Sequence, residues 1–216
     1  MAIEQQVAAA LVEIGAVGFA PEKPVTFKSG LISPVYVDNR RIPFWPEAFR
    51  TVIAGFEAAI AKHAVQYDVI AGVESGGIPH SAALGYALRQ PSVFVRKQPK
   101  EHGTRNRIEG GSVDGKRVLL VEDLVTTGGS SLASVSALRE AGAQVDTCLA
   151  IVSYEFQEAD AAFAAAGVRL YALTAFADIL EAAVQANRFG RDAMAVIDDW
   201  LRDPSGWAAR HGFTNT

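Results

Sequence analysis

Apolar residues recur every three or four positions between residues 3 and 14, and this spacing predicts a first helix that the following glycines end. Two short β-like stretches follow at 24–27 and 34–38. Pro46 is well placed for the first turn of a helix that reaches about residue 63. The first quarter of the chain therefore combines short strands with two helices.

From residue 68 onward, short apolar stretches alternate with helical patterns. Strands are predicted at 68–73, 92–96, 116–121, 145–152 and 168–173, and helices at 77–89, 130–141 and 156–166, with two further helices at the end. A polar segment at 97–115 has no apolar period. This alternation indicates an α/β fold in which helices cover both faces of a parallel sheet. Ligands of such sheets bind beyond the carboxyl ends of the strands.

Composition narrows the class of protein. The chain has 216 residues, 50% hydrophobic and 20% charged, which excludes a disordered chain and allows one domain with a real core. Its single cysteine, Cys148, excludes a disulfide scaffold and is interpreted as a buried reduced thiol. Without a membrane-length apolar run or a signal-peptide pattern, the chain is expected to be cytoplasmic and to have no membrane partner. The net charge of −4 argues against a nucleic-acid partner.

The most informative segment is the run VLLVEDLVTTGGSS at 118–131, in which an apolar strand ends in two carboxylates and a glycine turn. Glycines let the backbone approach a ligand, and the following helix offers free N–H groups to a phosphate. An acid beside a phosphate is unfavourable unless it accepts hydrogen bonds from hydroxyl groups, as it would from a ribose diol. The segment therefore fits a phosphoribosyl group, although a plain βα turn capped by Ser and Thr is the alternative.

Four further motifs occur in order along the chain: TFKSG at 26–30, SPVYVD at 33–38, GVESGGIP at 72–79 and VRKQPKEHG at 95–103. Together with 118–131 they resemble the type I phosphoribosyltransferases, and among these the orotate phosphoribosyltransferases. The resemblance runs from about residue 20 to 135. Beyond that the chain matches only in its βα pattern.

The resemblance implies a single phosphoribosyltransferase domain over 1–216, with a small hood and base-binding segment at about 1–45 and an α/β core at about 46–216. It implies transfer of the 5-phosphoribosyl group from phosphoribosyl pyrophosphate (PRPP) to orotate in pyrimidine (UMP) biosynthesis. It also implies Mg²⁺ held mainly by the substrate rather than by protein ligands, and a homodimer.

A run of basic residues lies between Arg96 and Arg107. Taken alone, the run could be a solvated loop or a nucleic-acid arm. Beside a phosphoribose site it suits a lid that neutralises the departing pyrophosphate. The resemblance implies that Lys100 and His102 contact that pyrophosphate, assisted by Arg96 and Lys97, and that the lid reaches the partner subunit's site.

The expected site falls into four sets. The catalytic set is Lys100, His102 and Asp123. The PRPP-binding set is Arg96, Lys97, Lys100, His102, Glu122, Asp123, Leu124, Val125, Thr126, Thr127, Gly128, Gly129 and Ser130. A second glycine turn, suited to pyrophosphate or else a plain helix start, is Glu74, Ser75, Gly76 and Gly77. The orotate-binding set implied by the resemblance is Lys28, Tyr36, Val37 and Thr126.

One position departs from the family pattern. Many relatives carry an arginine for the orotate carboxylate where this chain has Phe156. Either another cation or backbone amides hold the carboxylate, and Arg40 and Arg41 are the nearest cations in the sequence. The stretch 197–216 ends polar and is assigned no function.

Two alternatives remain open from the sequence. One is a phosphoribosyltransferase for another base, such as a purine. The other is a non-catalytic regulator that senses PRPP and binds RNA or DNA.

Overall fold

A six-stranded sheet forms the centre of the computed structural model, which describes residues 2–27, 29–98 and 107–213. The strand order is β10-β9-β8-β5-β6-β7, and every pairing is parallel except the one between β6 and β7. The strands are β5 (Val69–Val73), β6 (Ser92–Val95), β7 (Ile108–Glu109), β8 (Arg117–Val125), β9 (Gln144–Ser153) and β10 (Arg169–Ala175). The predicted α/β architecture is confirmed.

Helices cover both faces of this sheet. They are α1 (Ile3–Glu13), α2 (Pro46–Lys62), α3 (Gly77–Leu88), α4 (Gly129–Glu140), α5 (Gln157–Ala165), α6 (Phe176–Gln185), α7 (Arg191–Arg202) and α8 (Pro204–Arg210). Neighbouring strand residues face opposite sides, so Leu119 packs with one core cluster and Leu120 with the other. Cys148 is fully buried in the second cluster, as predicted.

The remaining short strands lie in the first forty residues. They are β1 (Val17–Phe19), β2 (Val25–Thr26), β3 (Ile32–Ser33) and β4 (Val35–Val37), followed by a 3-10 helix at Asn39–Phe44. β1 pairs with β4, and β2 pairs with β3, both antiparallel. α1 packs on α2, α6 and β10 instead, so its apolar face joins the main core.

Three boundaries differ from the sequence expectation. β8 continues to Val125 rather than ending near residue 121, because Leu124 and Val125 still pair with Val152 and Ser153 of β9. The edge strand β7 lies inside the segment expected to be polar loop. Three helices rather than two close the described chain.

The C-terminal helices contribute to the main core. Trp200 of α7 and Trp207 of α8 are fully buried, although their segment reads as polar in sequence. Among the described residues, no helix combines the length and apolar character that a membrane span requires.

Candidate active site

A cavity of ≈ 800 Å³ opens beyond the carboxyl ends of β5 and β8. It collects most of the residues that the sequence singled out. The predicted residues that line it are Tyr36, Val37, Glu74, Ser75, Gly76, Lys97, Glu122, Asp123, Leu124, Thr126, Thr127, Gly128, Gly129 and Ser130. The position agrees with the general placement of ligand sites in parallel sheets.

A few predicted residues are placed elsewhere. Val125 is buried and continues the sheet, and Gly77 is the first residue of α3 behind the cavity wall. Arg96 does not line the cavity, and its guanidinium pairs with Glu109 at 3.6 Å. Lys28, Lys100 and His102 lie outside the described residues.

Glu122 is the most deeply buried acid of the site, at 3% exposure. One carboxylate oxygen accepts a hydrogen bond from the backbone N–H of Asp123 at 3.0 Å. The other accepts from the hydroxyls of Ser130 and Ser131 at 3.2 and 3.1 Å. These bonds connect the C-terminal part of β8 to the first turn of α4.

Burial raises the pKa of Glu122 well above the usual glutamate range, and the negative charge of Asp123 raises it further. The charged form of Glu122 is therefore unfavourable in the empty cavity. A ligand that donates hydrogen bonds to this pair of acids, or brings a cation near them, would favour that form.

The turn after β8 requires glycine at position 128. Gly128 has a φ of +81°, and a Cβ there would lie 2.8 Å from the ring of Phe163. α4 begins at Gly129, and no side chain caps its first turn. The N–H groups of that turn are therefore available to an anion such as a phosphate.

A second turn, between β5 and α3, meets the first one directly. A Cβ at Gly76 would overlap the carboxylate of Asp123, so only glycine allows this approach. The Glu74–Ser75 peptide is cis, and α3 also begins without a side-chain cap. Two glycine turns, each followed by a helix start without a side-chain cap, thus meet at the carboxylate of Asp123.

The basic segment leaves and re-enters the sheet beside this cavity. The N–H of Lys97 donates to the Glu74 carboxylate at 2.7 Å, and the N–H of Arg96 donates to the carbonyl of Arg107 at 2.7 Å. Both ends of the segment are therefore fixed beside β6 and the edge strand β7.

Tyr36 is the aromatic residue of the predicted base end. It is 38% exposed and pairs with Gly18 across β1 and β4. A Cβ at Gly18 would overlap the tyrosine ring, so the glycine makes room for it. The ring packs over Gly18 and lines the cavity.

The two arginines considered for a carboxylate are already engaged. Arg41 donates to the carbonyl of Gly15 at 2.7 Å and does not line the cavity. Arg40 lines it but pairs with Asp38 at 2.6 Å.

Two supporting residues were missed in the sequence. Asn39 is buried, and its amide donates to the backbone carbonyl of Asp123 at 2.6 Å. His80 of α3 is also buried, packs edge-on against Phe49, and has its pKa lowered to about 4, mainly by burial. Their proximity to Asp123 depends on contacts between distant parts of the chain, which no local pattern reveals.

No group of three or more His, Cys, Asp or Glu side chains suited to a metal ion occurs in the described ranges. Glu122 and Asp123 are nonetheless two adjacent carboxylates at the cavity.

Comparison with known proteins gives consistent results. The chain matches the family described as Phosphoribosyl transferase domain over residues 47–162. It is 39% identical over 207 residues to the orotate phosphoribosyltransferase of Bacillus caldolyticus, covering 96% of this chain and 100% of that protein. The crystal structure of orotate phosphoribosyltransferase from Aeropyrum pernix has a TM-score of 0.73 and 31% identity, covering 85% of this chain and 99% of that one. Leishmania donovani UMP synthase has a TM-score of 0.80 and 27% identity, covering 92% of this chain and 42% of that one.

Proposed function

Because the chain belongs to the orotate phosphoribosyltransferase family, we propose that it transfers the 5-phosphoribosyl group of PRPP to orotate. The products are orotidine 5′-phosphate and pyrophosphate, which places the enzyme in pyrimidine biosynthesis. The observation that carries the proposal is the contact between Gly76 and Asp123, which joins two anion-binding turns around a carboxylate.

Each part of PRPP has a matching part of the cavity. The 5-phosphate binds the turn at 126–130, where the N–H groups of α4 point outward. The ribose hydroxyls donate to Asp123 and Glu122. The pyrophosphate binds the turn at 74–77, and Lys97 lies on the same side.

The reaction breaks the bond from C1 of the ribose to the pyrophosphate oxygen and forms a bond from C1 to a ring nitrogen of orotate, whose N–H proton passes to the departing pyrophosphate or to water. Breaking runs ahead of making, so positive charge develops on the sugar. The carboxylates of Glu122 and Asp123 stabilise that charge, and Lys100 and His102 neutralise or protonate the pyrophosphate as it leaves. Catalysis is then mostly electrostatic and positional.

Mg²⁺ is the cofactor we infer. Mg²⁺ retains waters and binds phosphate oxygens readily, so an ion that arrives with PRPP suits the two adjacent carboxylates at the cavity. When bound, it would neutralise charge on the pyrophosphate.

We also propose a homodimer in which the basic segment serves the partner's site. Exposed aromatic side chains support this: Phe44 is 81% exposed and contacts the ring of Trp45, and Tyr86 of α3 is 89% exposed. Large exposed apolar side chains are typical of an interface. The cytoplasmic location and the lack of a nucleic-acid partner stay predictions.

The proposed function is tested by mixing the protein with Mg²⁺, PRPP and orotate and following orotate absorbance. The absorbance should fall only when PRPP is present. Turnover of a purine with no change in orotate would assign the enzyme to another base, and PRPP binding without any turnover would indicate a regulator.

The lid is tested by Lys100→Ala. Turnover should fall strongly while PRPP still binds, because the lysine acts on the leaving group. Lys116→Ala is the matched control, since this exposed lysine lies just before β8, at the opposite end of the sheet. Unchanged turnover in Lys100→Ala would refute the role of the lid.

A further inference from the structure

Orotate is an anion, and its carboxylate is on the ring carbon next to the nitrogen that attacks C1 of the ribose. Its recognition therefore requires a cation or free donors at the base end of the cleft. Phe156 cannot supply either from its side chain. The cations nearest in sequence, Arg40 and Arg41, bind Asp38 and the carbonyl of Gly15 instead.

A second cavity of ≈ 900 Å³ adjoins the PRPP cavity. Ser29 and Thr127 line both cavities, so the two cavities adjoin at these residues. Phe156 lines the second cavity, together with residues of α7 and α8. The C-terminal helices therefore form part of the wall of this second cavity.

Arg202, the last residue of α7, brings a positive charge to this second cavity. Of the described residues that line the cavity, it is the sole Lys, Arg or His. Its side chain is exposed and has no ion pair or hydrogen bond within the described ranges, unlike Arg210, which pairs with Asp199 and Asp203. A guanidinium without a partner is available for bidentate binding of a carboxylate.

The position of Arg202 relative to the base end is fixed by Trp200. The indole N–H of Trp200 donates to the carbonyl of Ile32 at 2.9 Å. The same indole lies 5.9 Å from the ring of Phe156, centroid to centroid. The end of α7 is thus held against both the 29–32 turn and the position of Phe156.

Glu155 and Glu158 also line the second cavity. Their negative charges repel an anion, so a carboxylate binds favourably in this cavity only where it contacts the guanidinium of Arg202 directly. This favours a ligand that enters from the shared rim at Ser29 and Thr127 and reaches toward α7.

We propose that Arg202 binds the carboxylate of orotate and so selects this base over pyrimidines that lack the group. The proposal rests on the proposed orotate phosphoribosyltransferase activity. It assigns the C-terminal helices a role in substrate specificity.

The test compares Arg202→Ala and Arg202→Lys with the unaltered enzyme. For Arg202→Ala, the KM for orotate should rise about tenfold or more, as expected for loss of one charge-assisted contact, while the KM for PRPP stays the same. Uracil has the same ring without the carboxylate, and its inhibition constant should not change. Arg202→Lys should recover part of the orotate affinity.

Arg188→Ala is the matched control, because this exposed arginine lines neither cavity. Equal KM values for orotate in Arg202→Ala and the unaltered enzyme would overturn the proposal and leave the proposed function standing. A KM for orotate that rises in Lys28→Ala but not in Arg202→Ala would also overturn the proposal. If the unaltered enzyme turns over a purine and not orotate, both proposals fail.

Discussion

Replacing Glu122 with Gln tests whether the negative charge of this buried acid lowers the stability of the ligand-free protein and strengthens the binding of PRPP. The carboxylate is 3% exposed and accepts hydrogen bonds from one backbone N–H and two serine hydroxyls. A glutamine keeps the shape, accepts from the N–H, and donates to the serines, whose hydroxyls also accept. The substitution therefore removes the charge and little else.

The magnitude follows from the raised pKa. Burial and Asp123 disfavour ionised Glu122, so in the free enzyme the folded state loses stability as pH rises above the usual glutamate value of 4.5. Each unit of pKa shift corresponds to about 1.4 kcal/mol. Since the shift is well above one unit, Glu122→Gln should be more stable than the unaltered chain by at least about 1 kcal/mol near pH 8, and by much less near pH 5.

Urea unfolding of both proteins across this pH range, without ligand, measures the difference. PRPP affinity, measured by calorimetry, should fall in the same variant, because an amide is a weaker acceptor for the ribose hydroxyls. Ser136→Ala is a suitable control, because Ser136 bonds only the exposed Glu140. A variant that is less stable at every pH, or whose stability gain does not grow with pH, would refute the reasoning.

Three further predictions follow from the same contacts. Asp123→Asn should lower PRPP affinity and turnover, and unaltered kinetics would remove the role of Asp123 on the ribose hydroxyls. Burial lowers the pKa of His80 from 6.5 to about 4, so the contribution of His80 to stability should be full above pH 6.5 and fall by about 3 kcal/mol toward pH 4, and His80→Gln should lose this contribution in urea titrations. Trp200→Phe deprives the Ile32 carbonyl of its buried partner, so the free energy of unfolding should fall by about 1–3 kcal/mol and the KM for orotate should rise; unchanged values of both would show that α7 does not support the base end.

The fold and the PRPP cavity were largely predictable because they depend on local patterns. Apolar runs of strand length between helical patterns indicated the parallel sheet. A glycine turn between a strand and a helix indicated each of the two turns that line the cavity. The acids Glu122 and Asp123 were identified correctly as cavity residues, yet the strand boundary before them was wrong, because the pairing of Leu124 and Val125 with β9 is not a local signal.

The supporting residues depended on contacts across the chain. Asn39 bonds a carbonyl 84 positions away, and Trp200 bonds one 168 positions away. The polar character of the last twenty residues concealed two buried tryptophans, Trp200 and Trp207. Sequence patterns of three to four residues cannot report such distances, so the C-terminal helices received no role.

The central claim is tested most directly by the stoichiometry of the reaction. The protein is mixed with Mg²⁺, orotate and PRPP, and the products are quantified by chromatography and phosphorus NMR. The account predicts one orotidine 5′-phosphate and one pyrophosphate for each PRPP consumed, with no consumption when orotate is left out. Hydrolysis of PRPP without orotidine 5′-phosphate, or nucleotide formation from a purine only, would contradict it.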